Sequence, residues 1–111
     1  MRFQTETVYH VFNQGNNRIP IFYRISNYFY FEEKMRKHLL PYCDLLAYCL
    51  MPNHFHWLLI PKEEGVKLFR SRINQEITVQ NLSKEIGVLL RSYTRAINAQ
   101  EKRSGSLFRP N

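Results

Sequence analysis

Two apolar runs separated by Pro52-Asn53 constrain the fold of this chain more than any other feature. The first run covers 45–51, the second covers 54–60, and Pro61 follows the second. Apolar runs of this length, bounded by turn residues, are typical of β-strands, and two of them joined by two turn residues predict an antiparallel hairpin. We therefore expect a sheet built on a buried strand from Leu45 to Met51 and a second strand from His54 to Ile60.

The second strand has two chemically different faces, because side chains alternate along a strand. Phe55, Trp57 and Leu59 make one face apolar, which suits packing against helices. The other face begins with His54 and His56, and two neutral imidazoles on one face can bind the same metal ion. The pair does not complete a site, so a third ligand must come from elsewhere; Glu63 and Glu64 follow the strand. By spacing alone, two half-buried histidines without a metal are the alternative.

The rest of the chain predicts a single domain, 1–111, with two main helices and two further strands. Before the hairpin, the predicted elements are a strand Thr5–Phe12, a turn at 13–17 and a helix Tyr28–Leu40 capped by Asn27. After it come a polar loop 62–80 with a short helix, a helix that starts at Asn81 or Ser83, and the opening of a strand at Leu107-Phe108. This order predicts an α+β fold in which an antiparallel sheet has its helices on one face, in the ferredoxin-like split β-α-β arrangement.

Helical periodicity assigns several side chains to the core. An apolar stripe along the last helix comprises Leu82, Ile86, Leu89, Leu90, Tyr93 and Ile97. A tyrosine on such a stripe is predicted to be a core residue. His10, alternating with apolar residues on the first strand, is predicted to be structural, with a ligand role as the alternative. His38, near a helix end, is predicted either to face solvent or to be stabilised by the helix dipole.

The charge balance favours a polyanionic partner. The chain has 16 Lys and Arg against 9 Asp and Glu, a net charge of +7. Nucleic acid is the first choice for such a surface, although an ordinary solvated basic surface is equally compatible with charge alone. Candidate phosphate contacts are Arg18, Arg91, Arg95 and Arg103. No apolar stretch is long enough for a membrane span, and Cys43 and Cys49 make no disulfide framework, so we expect a cytoplasmic protein with reduced thiols.

Several segments together resemble the IS200-like transposase family, which includes the REP-associated tyrosine transposases. The segment Tyr48–Leu59, YCLMPNHFHWLL, is similar to the family's strand pair with its histidine–hydrophobic–histidine (HUH) metal motif. Tyr9–Gly15, Tyr93–Asn98 and Gly105–Phe108 resemble its first strand and turn, its later helix and the strand that follows. The resemblance covers most of the chain in the family's order.

The resemblance implies a DNA-cleaving enzyme that acts in transposition. Members bind single-stranded DNA, often beside a hairpin, and the two histidines hold a metal ion at the scissile phosphate. A phosphate substrate at a site with few carboxylates fits Mg²⁺ or Mn²⁺, whereas imidazole alone favours zinc or another transition metal, so the identity of the ion stays open. A tyrosine hydroxyl then attacks, giving a 5′-phosphotyrosine link and a free 3′-hydroxyl, and a second transesterification rejoins strands. A homodimer is a further partner compatible with this family.

The same resemblance predicts that the nucleophile lies beyond Asn111. In the family, the attacking tyrosine stands on a helix after the Gly-Ser-Leu-Phe strand, followed one turn later by an Asn or Gln ligand, and no such motif occurs between Phe108 and Asn111. Tyr93 is the fallback, but the residue four positions later is Ile97, which cannot bind a metal. The chain is therefore expected to bind DNA and metal without forming the adduct. The alternatives are a non-catalytic nucleic-acid-binding module of the same fold and an unrelated metal-binding protein.

Overall fold

Three antiparallel strands form the sheet of the computed structural model, which describes residues 2–70 and 78–110. The strands are β1 (Tyr9–Gln14), β2 (Cys43–Met51) and β3 (His54–Pro61), and β3 lies in the centre, in the order β1-β3-β2. The helices are α1 (Ile25–His38), α2 (Glu63–Val66) and α3 (Asn81–Glu101), with a 3₁₀ turn at Asn16–Arg18. The α+β class is confirmed, and the central position of β3 agrees with the predicted split arrangement.

The predicted hairpin is present and has the two-residue turn that its sequence requires. Met51 pairs with His54 across the turn formed by Pro52 and Asn53. The strand β2 is not the buried strand that its apolar residues predict: it is the edge of the sheet, and Leu46 is expelled at a bulge. Apolar composition alone does not distinguish an edge strand from a central one.

The two faces of β3 differ as predicted. Phe55, Trp57 and Leu59 are almost fully buried, whereas His54 and His56 are only partly buried. The ring of Phe31 on α1 contacts the rings of Phe55 and Trp57, with centroids 5.4 and 6.1 Å apart. The helices therefore cover the apolar face, and the histidine face, which we call the open face, carries no helix among the described residues.

The first strand begins later than predicted and also ends later. Thr5 and Glu6 form a turn, in which Glu6 takes a positive φ of 59°, so β1 starts at Tyr9 rather than at Thr5. At its other end Asn13 and Gln14, predicted to be turn residues, pair with β3. Pairing with a distant strand has overridden the local turn preference of these two residues.

The first helix begins three residues before the predicted start, and Asn27 is not its N-cap. Asn27 occupies the third helical position, and its Oδ1 accepts hydrogen bonds from the backbone N–H groups of Tyr23 and Arg24, at 3.0 and 2.9 Å. The side chain of Asn27 therefore caps the start of the helix, although Asn27 itself lies within the helix and not before it. The helix ends at His38, before Pro41.

Of the two environments predicted for His38, the solvent-facing one is wrong. His38 is buried, and its Nδ1 donates to Glu85 Oε1 of α3 at 2.8 Å. Lys84 Nζ contacts the other carboxylate oxygen at 3.0 Å. This contact joins the two main helices, and no local sequence pattern indicates it because the partners lie 47 residues apart.

The last helix starts at Asn81, as predicted, and its stripe is confirmed by the burial of Leu82, Leu89, Tyr93 and Ile97. The loop predicted over 62–80 contains α2 and a bridge between Leu68 and Gln80, and its 71–77 part lies outside the described residues. No helix in the described ranges is long and apolar enough to cross a membrane.

The incipient strand at Leu107-Phe108 lies along the outer edge of β1. The backbone N–H of Asn16 donates to the Leu107 carbonyl at 2.9 Å, and that of Arg109 donates to the Gln14 carbonyl at 2.8 Å. Phe108 thus forms an antiparallel bridge with Gly15. In the split arrangement, a strand at this edge is the expected fourth strand.

The ion pair between the helices predicts a pH-dependent contribution to stability. Burial raises the pKa of Glu85, but the hydrogen bonds from His38 and Lys84 outweigh it and hold the pKa below the ordinary 4.5. The carboxylate therefore stabilises the fold above pH 4.5, and this contribution is lost as the pH falls through the lower folded pKa. We expect Glu85→Gln to lower the free energy of unfolding by about 1 kcal/mol at pH 7 and by much less at pH 3, measured by urea denaturation.

The matched control is Glu33→Gln, which neutralises an exposed carboxylate on α1. It should leave the free energy of unfolding unchanged at both pH values. An equal deficit for Glu85→Gln at pH 3 and pH 7 would show that the charge of Glu85 does not stabilise the helix pair.

Candidate metal centre

His54 and His56 lie side by side on the open face of the sheet. Their ring centroids are 5.0 Å apart, and the ring planes are nearly perpendicular, at 84°. With metal–nitrogen bonds of about 2.1 Å, two rings at this separation can contact one ion. The structure therefore supports the proximity that the strand spacing predicts.

The position of His54 depends on the turn before it. The Pro52 carbonyl accepts the N–H groups of Ile21 and Phe22 at 2.8 and 3.1 Å, and the Asn53 carbonyl accepts the N–H of Gly15 at 2.8 Å. Three backbone bonds thus hold the turn that starts β3. Gly15 is required here because a Cβ at this position would lie 1.9 Å from the carbonyl oxygen of Ile19.

The side chain of Asn53 orients the ring of His54. Asn53 Oδ1 lies 2.8 Å from His54 Nδ1. A carboxamide oxygen can only accept, so His54 carries its proton on Nδ1 and has its lone pair on Nε2. His54 is therefore held in a tautomer that can bind a metal through Nε2.

His56 meets a third histidine, His10 of β1. Nε2 of His10 and Nδ1 of His56 are 2.7 Å apart, the ring planes differ by 20°, and the centroids are 4.9 Å apart. This centroid separation nearly equals the nitrogen–nitrogen distance plus the two ring radii. The rings therefore meet end to end in a hydrogen bond and do not stack. The sequence predicts a structural His10 with a ligand role as the alternative, and neither interpretation places it beside His56.

The surroundings of His56 favour its neutral form. Partial burial, together with the nearby His10 and His54, lowers the pKa of His56 below its ordinary value of 6.5. Metal ligation requires an unprotonated nitrogen, so a lowered pKa makes this side chain available as a ligand at neutral pH.

A shallow depression of about 400 Å³ adjoins His10 and His56 on the open face. It is also lined by Ala47, Cys49 and Leu58, and Cys49 lies directly across from His56 on β2. Phe12 stands beside it with 62% of its surface exposed. The two-residue turn fixes the register that brings Cys49 opposite His56, so the hairpin pattern itself indicates this neighbour.

The described residues contain no preassembled set of three metal-binding side chains. Across 2–70 and 78–110, no group of three or more His, Cys, Asp or Glu side chains has the geometry to hold a metal ion. Glu63 and Glu64 belong to α2, which follows the far end of β3 at Pro61, about 16 Å along the strand from His56 at about 3.3 Å per residue. They do not supply the missing ligand.

Tyr93 is a core residue, as its place on the apolar stripe predicts. It has 0% exposure, and its hydroxyl donates to the Ile21 carbonyl at 2.6 Å. Burial raises the pKa of Tyr93 far above its ordinary value, and the nearby hydroxyls of Tyr28 and Tyr30 add to this effect. A buried, protonated hydroxyl with an engaged proton is a poor nucleophile.

The candidate arginines fall into separate places. Arg18 lines a polar cleft of about 300 Å³ with Arg109, Asn16 and Asn17, at the end of β1. Gln14, which also lines this cleft, pairs with His54, so the cleft and the histidines share one margin of the sheet. The sequence also makes Arg109 a basic residue compatible with phosphate contact, but it does not pair Arg109 with Arg18, because only the pairing of 107–109 with β1 brings the two together.

The other arginines lie away from the histidines. Arg91 and Arg95 belong to α3, in the helix layer, and line a groove with Leu107 and Phe108. The guanidinium of Arg103 donates to Asn98 Oδ1 and to the Ser106 carbonyl, so it closes the loop after α3. Of the four predicted phosphate contacts, Arg18 is thus the one that lies at the same margin of the sheet as the histidine pair.

Comparisons with protein-family models, with curated proteins and with solved structures gave no match to this chain. The likeness to the IS200-like transposases therefore rests on the sequence motifs given above.

The hydroxyl of Tyr93 is expected to stabilise the fold. Tyr93→Phe removes the donor to the buried Ile21 carbonyl and should lower the free energy of unfolding by about 1–3 kcal/mol, measured by urea denaturation. The control is Tyr23→Phe, which removes a hydroxyl from a partly exposed ring and should change stability little. Equal stability of Tyr93→Phe and the parent protein would contradict a structural role for this hydroxyl.

Proposed function

We propose that this chain binds single-stranded or hairpin DNA on its open face and positions a phosphate for metal-dependent, tyrosine-type DNA transposition. The observation that carries the proposal is the partly buried pair His54 and His56, which lies on the open face with both Nδ1 atoms engaged in hydrogen bonds. Both Nε2 atoms are free of hydrogen bonds within the described part of the chain. A ligand pair with its second nitrogens engaged is the usual arrangement of histidines that bind metals.

His54 and His56 could supply two of the ligands of a divalent ion. His54 offers a lone pair on Nε2, the lowered pKa of His56 favours its neutral form, and the open face leaves room for further ligands. Of the two ions expected for a phosphate substrate, Mn²⁺ is the better match here, because imidazole favours transition metals and Mg²⁺ prefers oxygen ligands. When bound, the ion would supply polarisation of a phosphoryl oxygen.

The DNA path in this proposal runs from the histidines to the cleft of Arg18 and Arg109. Both guanidinium groups are exposed, and the cleft that they line is polar. Arginine binds phosphate oxygens bidentately, and an exposed aromatic ring such as Phe12 suits stacking with an unpaired base. Phosphate contacts and one stacking ring are the usual elements of a single-strand site.

The transesterification itself needs a tyrosine hydroxyl as the nucleophile. Its hydroxyl oxygen would form a bond to phosphorus at a 5′ position while the bond from phosphorus to the 3′ oxygen breaks, and that oxygen would leave with a proton. In this scheme His54 and His56 would hold the ion beside the phosphate, and Arg18 and Arg109 would hold the flanking strand. We do not assign the nucleophile to Tyr93, because its hydroxyl is buried against Ile21.

A non-catalytic nucleic-acid-binding module of the same fold is the second candidate. The observation that favours it is the lack of a preassembled three-ligand group among residues 2–70 and 78–110. Such a module would bind DNA through its basic cleft with no effect of metal. The two functions therefore differ in whether Mn²⁺ strengthens DNA binding.

This proposal places the protein with DNA in the cytoplasm, where Cys43 and Cys49 stay reduced; both are free thiols in the structure. It also includes a second copy of the chain as a partner. In the described residues the outer edge of β2 has no strand paired with it, and a free strand edge can pair with another chain.

The double variant His54→Ala/His56→Ala tests the metal centre. It removes both imidazole donors, so we expect it to lose Mn²⁺ binding in calorimetric titration and to lose the Mn²⁺-dependent increase in affinity for a labelled single-stranded hairpin. Binding of the hairpin in EDTA should persist, because the basic cleft is intact. Circular dichroism serves as the folding control.

Two results would count against this assignment. DNA affinity that is identical with Mn²⁺ and with EDTA in the parent protein would favour the non-catalytic module. A covalent DNA adduct that forms with the 111-residue chain and disappears in Tyr93→Phe would overturn the exclusion of Tyr93 as nucleophile.

The variant Arg18→Ala/Arg109→Ala tests the DNA path. Loss of two phosphate contacts should weaken hairpin binding and reduce the slope of log K against log salt by about 1.4, at roughly 0.7 per contact for a single strand. Fluorescence anisotropy at several salt concentrations measures both effects. The control Arg36→Ala/Lys37→Ala removes two exposed charges from α1 and should leave the slope nearly unchanged. Equal slopes for the two variants would rule out the cleft as the phosphate path.

A further inference from the structure

Each histidine of the proposed metal centre has a hydrogen-bond partner at its Nδ1 atom. For His54 the partner is Asn53 Oδ1, at 2.8 Å. For His56 it is Nε2 of His10, at 2.7 Å. The first bond fixes a tautomer, because an amide oxygen has no proton to give. The second can run in either direction, since each imidazole nitrogen can donate or accept.

The direction of the second bond decides whether His56 can be a ligand through Nε2. If His56 donates from Nδ1, its Nε2 has a lone pair, as in His54. If His10 donates instead, neutral His56 carries its proton on Nε2 and has no lone pair there. Only the first arrangement makes His54 and His56 equivalent ligands.

We propose that Nε2 of His10 accepts the Nδ1–H of His56, so that His10 is a positioning residue for His56 as Asn53 is for His54. This inference rests on the proposed metal centre. Positioning groups of this kind fix both the tautomer and the orientation of a ligating imidazole. His10 acts through His56 and does not itself contact the ion.

The placement of His10 suits this function. It lies on β1 diagonally across from His56, since its direct partner is Leu58 and the partner of His56 is Phe12. The near-coplanar, end-to-end arrangement of the two rings gives a well-aligned hydrogen bond. His10 is exposed, so the proton on its own Nδ1 can be solvated by water.

The first test is the tautomer of each histidine in the metal-free protein at neutral pH, measured by long-range ¹H–¹⁵N correlation of the imidazole nitrogens. We expect His54 and His56 both to be protonated at Nδ1 and His10 to have its lone pair on Nε2. In His10→Phe, which keeps a ring but removes the acceptor, His56 should lose its preference for the Nδ1–H form while His54 keeps it.

The second test is the affinity for Mn²⁺, measured by calorimetric titration. His10→Phe should weaken Mn²⁺ binding about 10–100-fold, as is typical when a partner of a ligating histidine is removed. His10→Gln should restore most of it, because a glutamine amide oxygen reaches about the position of Nε2 and can accept the same hydrogen bond. The control Val8→Ala removes an exposed side chain two residues earlier and should change the affinity less than twofold.

Specific results would overturn the proposal. One is a metal-free protein in which His56 is protonated on Nε2. Another is Mn²⁺ affinity that is unchanged in His10→Phe. A third is an imidazole shift at Nε2 of His10 on addition of Zn²⁺ that matches the shifts of His54 and His56, since it would make His10 a ligand itself.

Failure of the proposed function has a different signature. If the parent protein binds no DNA but shows the expected tautomers and Mn²⁺ affinities, the function in transposition fails and the positioning by His10 stands. If DNA binding responds to Mn²⁺ and His10→Phe does not differ from the parent protein, the metal centre stands and the positioning by His10 fails.

Discussion

The candidate site depends on how the Pro52–Asn53 turn is held. Strand β3 starts directly after this turn, so any movement of the turn moves His54. Three backbone hydrogen bonds from Gly15, Ile21 and Phe22 fix it, and they come from the segment between β1 and α1. The β2–β3 hairpin is thus stabilised by the connection between β1 and α1, which lies much earlier in the sequence.

The helix layer reaches the site through the same segment. Tyr93 donates to the carbonyl of Ile21, whose own N–H donates to Pro52. A tyrosine that looks like a nucleophile by its chemistry therefore stabilises the turn that carries a proposed metal ligand. The aromatic contacts of Phe31 with Phe55 and Trp57 complete this arrangement, because they commit one face of β3 to the helices and leave the histidine face open.

The features that local sequence determines could be predicted, and those that depend on long-range pairing could not. The hairpin, the two faces of β3 and the stripe of α3 follow from patterns within a few residues. The two-residue turn even implies that Cys49 lies opposite His56. By contrast, the meeting of His10 and His56 depends on the register of β1 against β3 over 46 residues, which no local pattern encodes.

Boundary errors have the same origin. Residues Asn13 and Gln14 belong to the run 13–17 whose composition predicts a turn, yet pairing with β3 places them in a strand. Asn27 has the chemistry of a helix cap, and it does cap free N–H groups, but from the third helical position. In each case the residue type indicates the interaction correctly, and tertiary contacts decide where along the chain it is made.

The exposure of the histidines bears on the kind of metal chemistry they suit. A structural metal site is closed, with four protein ligands that shield the ion from solvent. Here His54 and His56 lie on a sheet face that no described helix covers, with the polar cleft of Arg18 and Arg109 at the same margin. Two protein ligands would leave coordination positions open toward solvent, which is the condition for an incoming phosphate oxygen to bind. The open face is thus better suited to substrate chemistry than to holding the fold together.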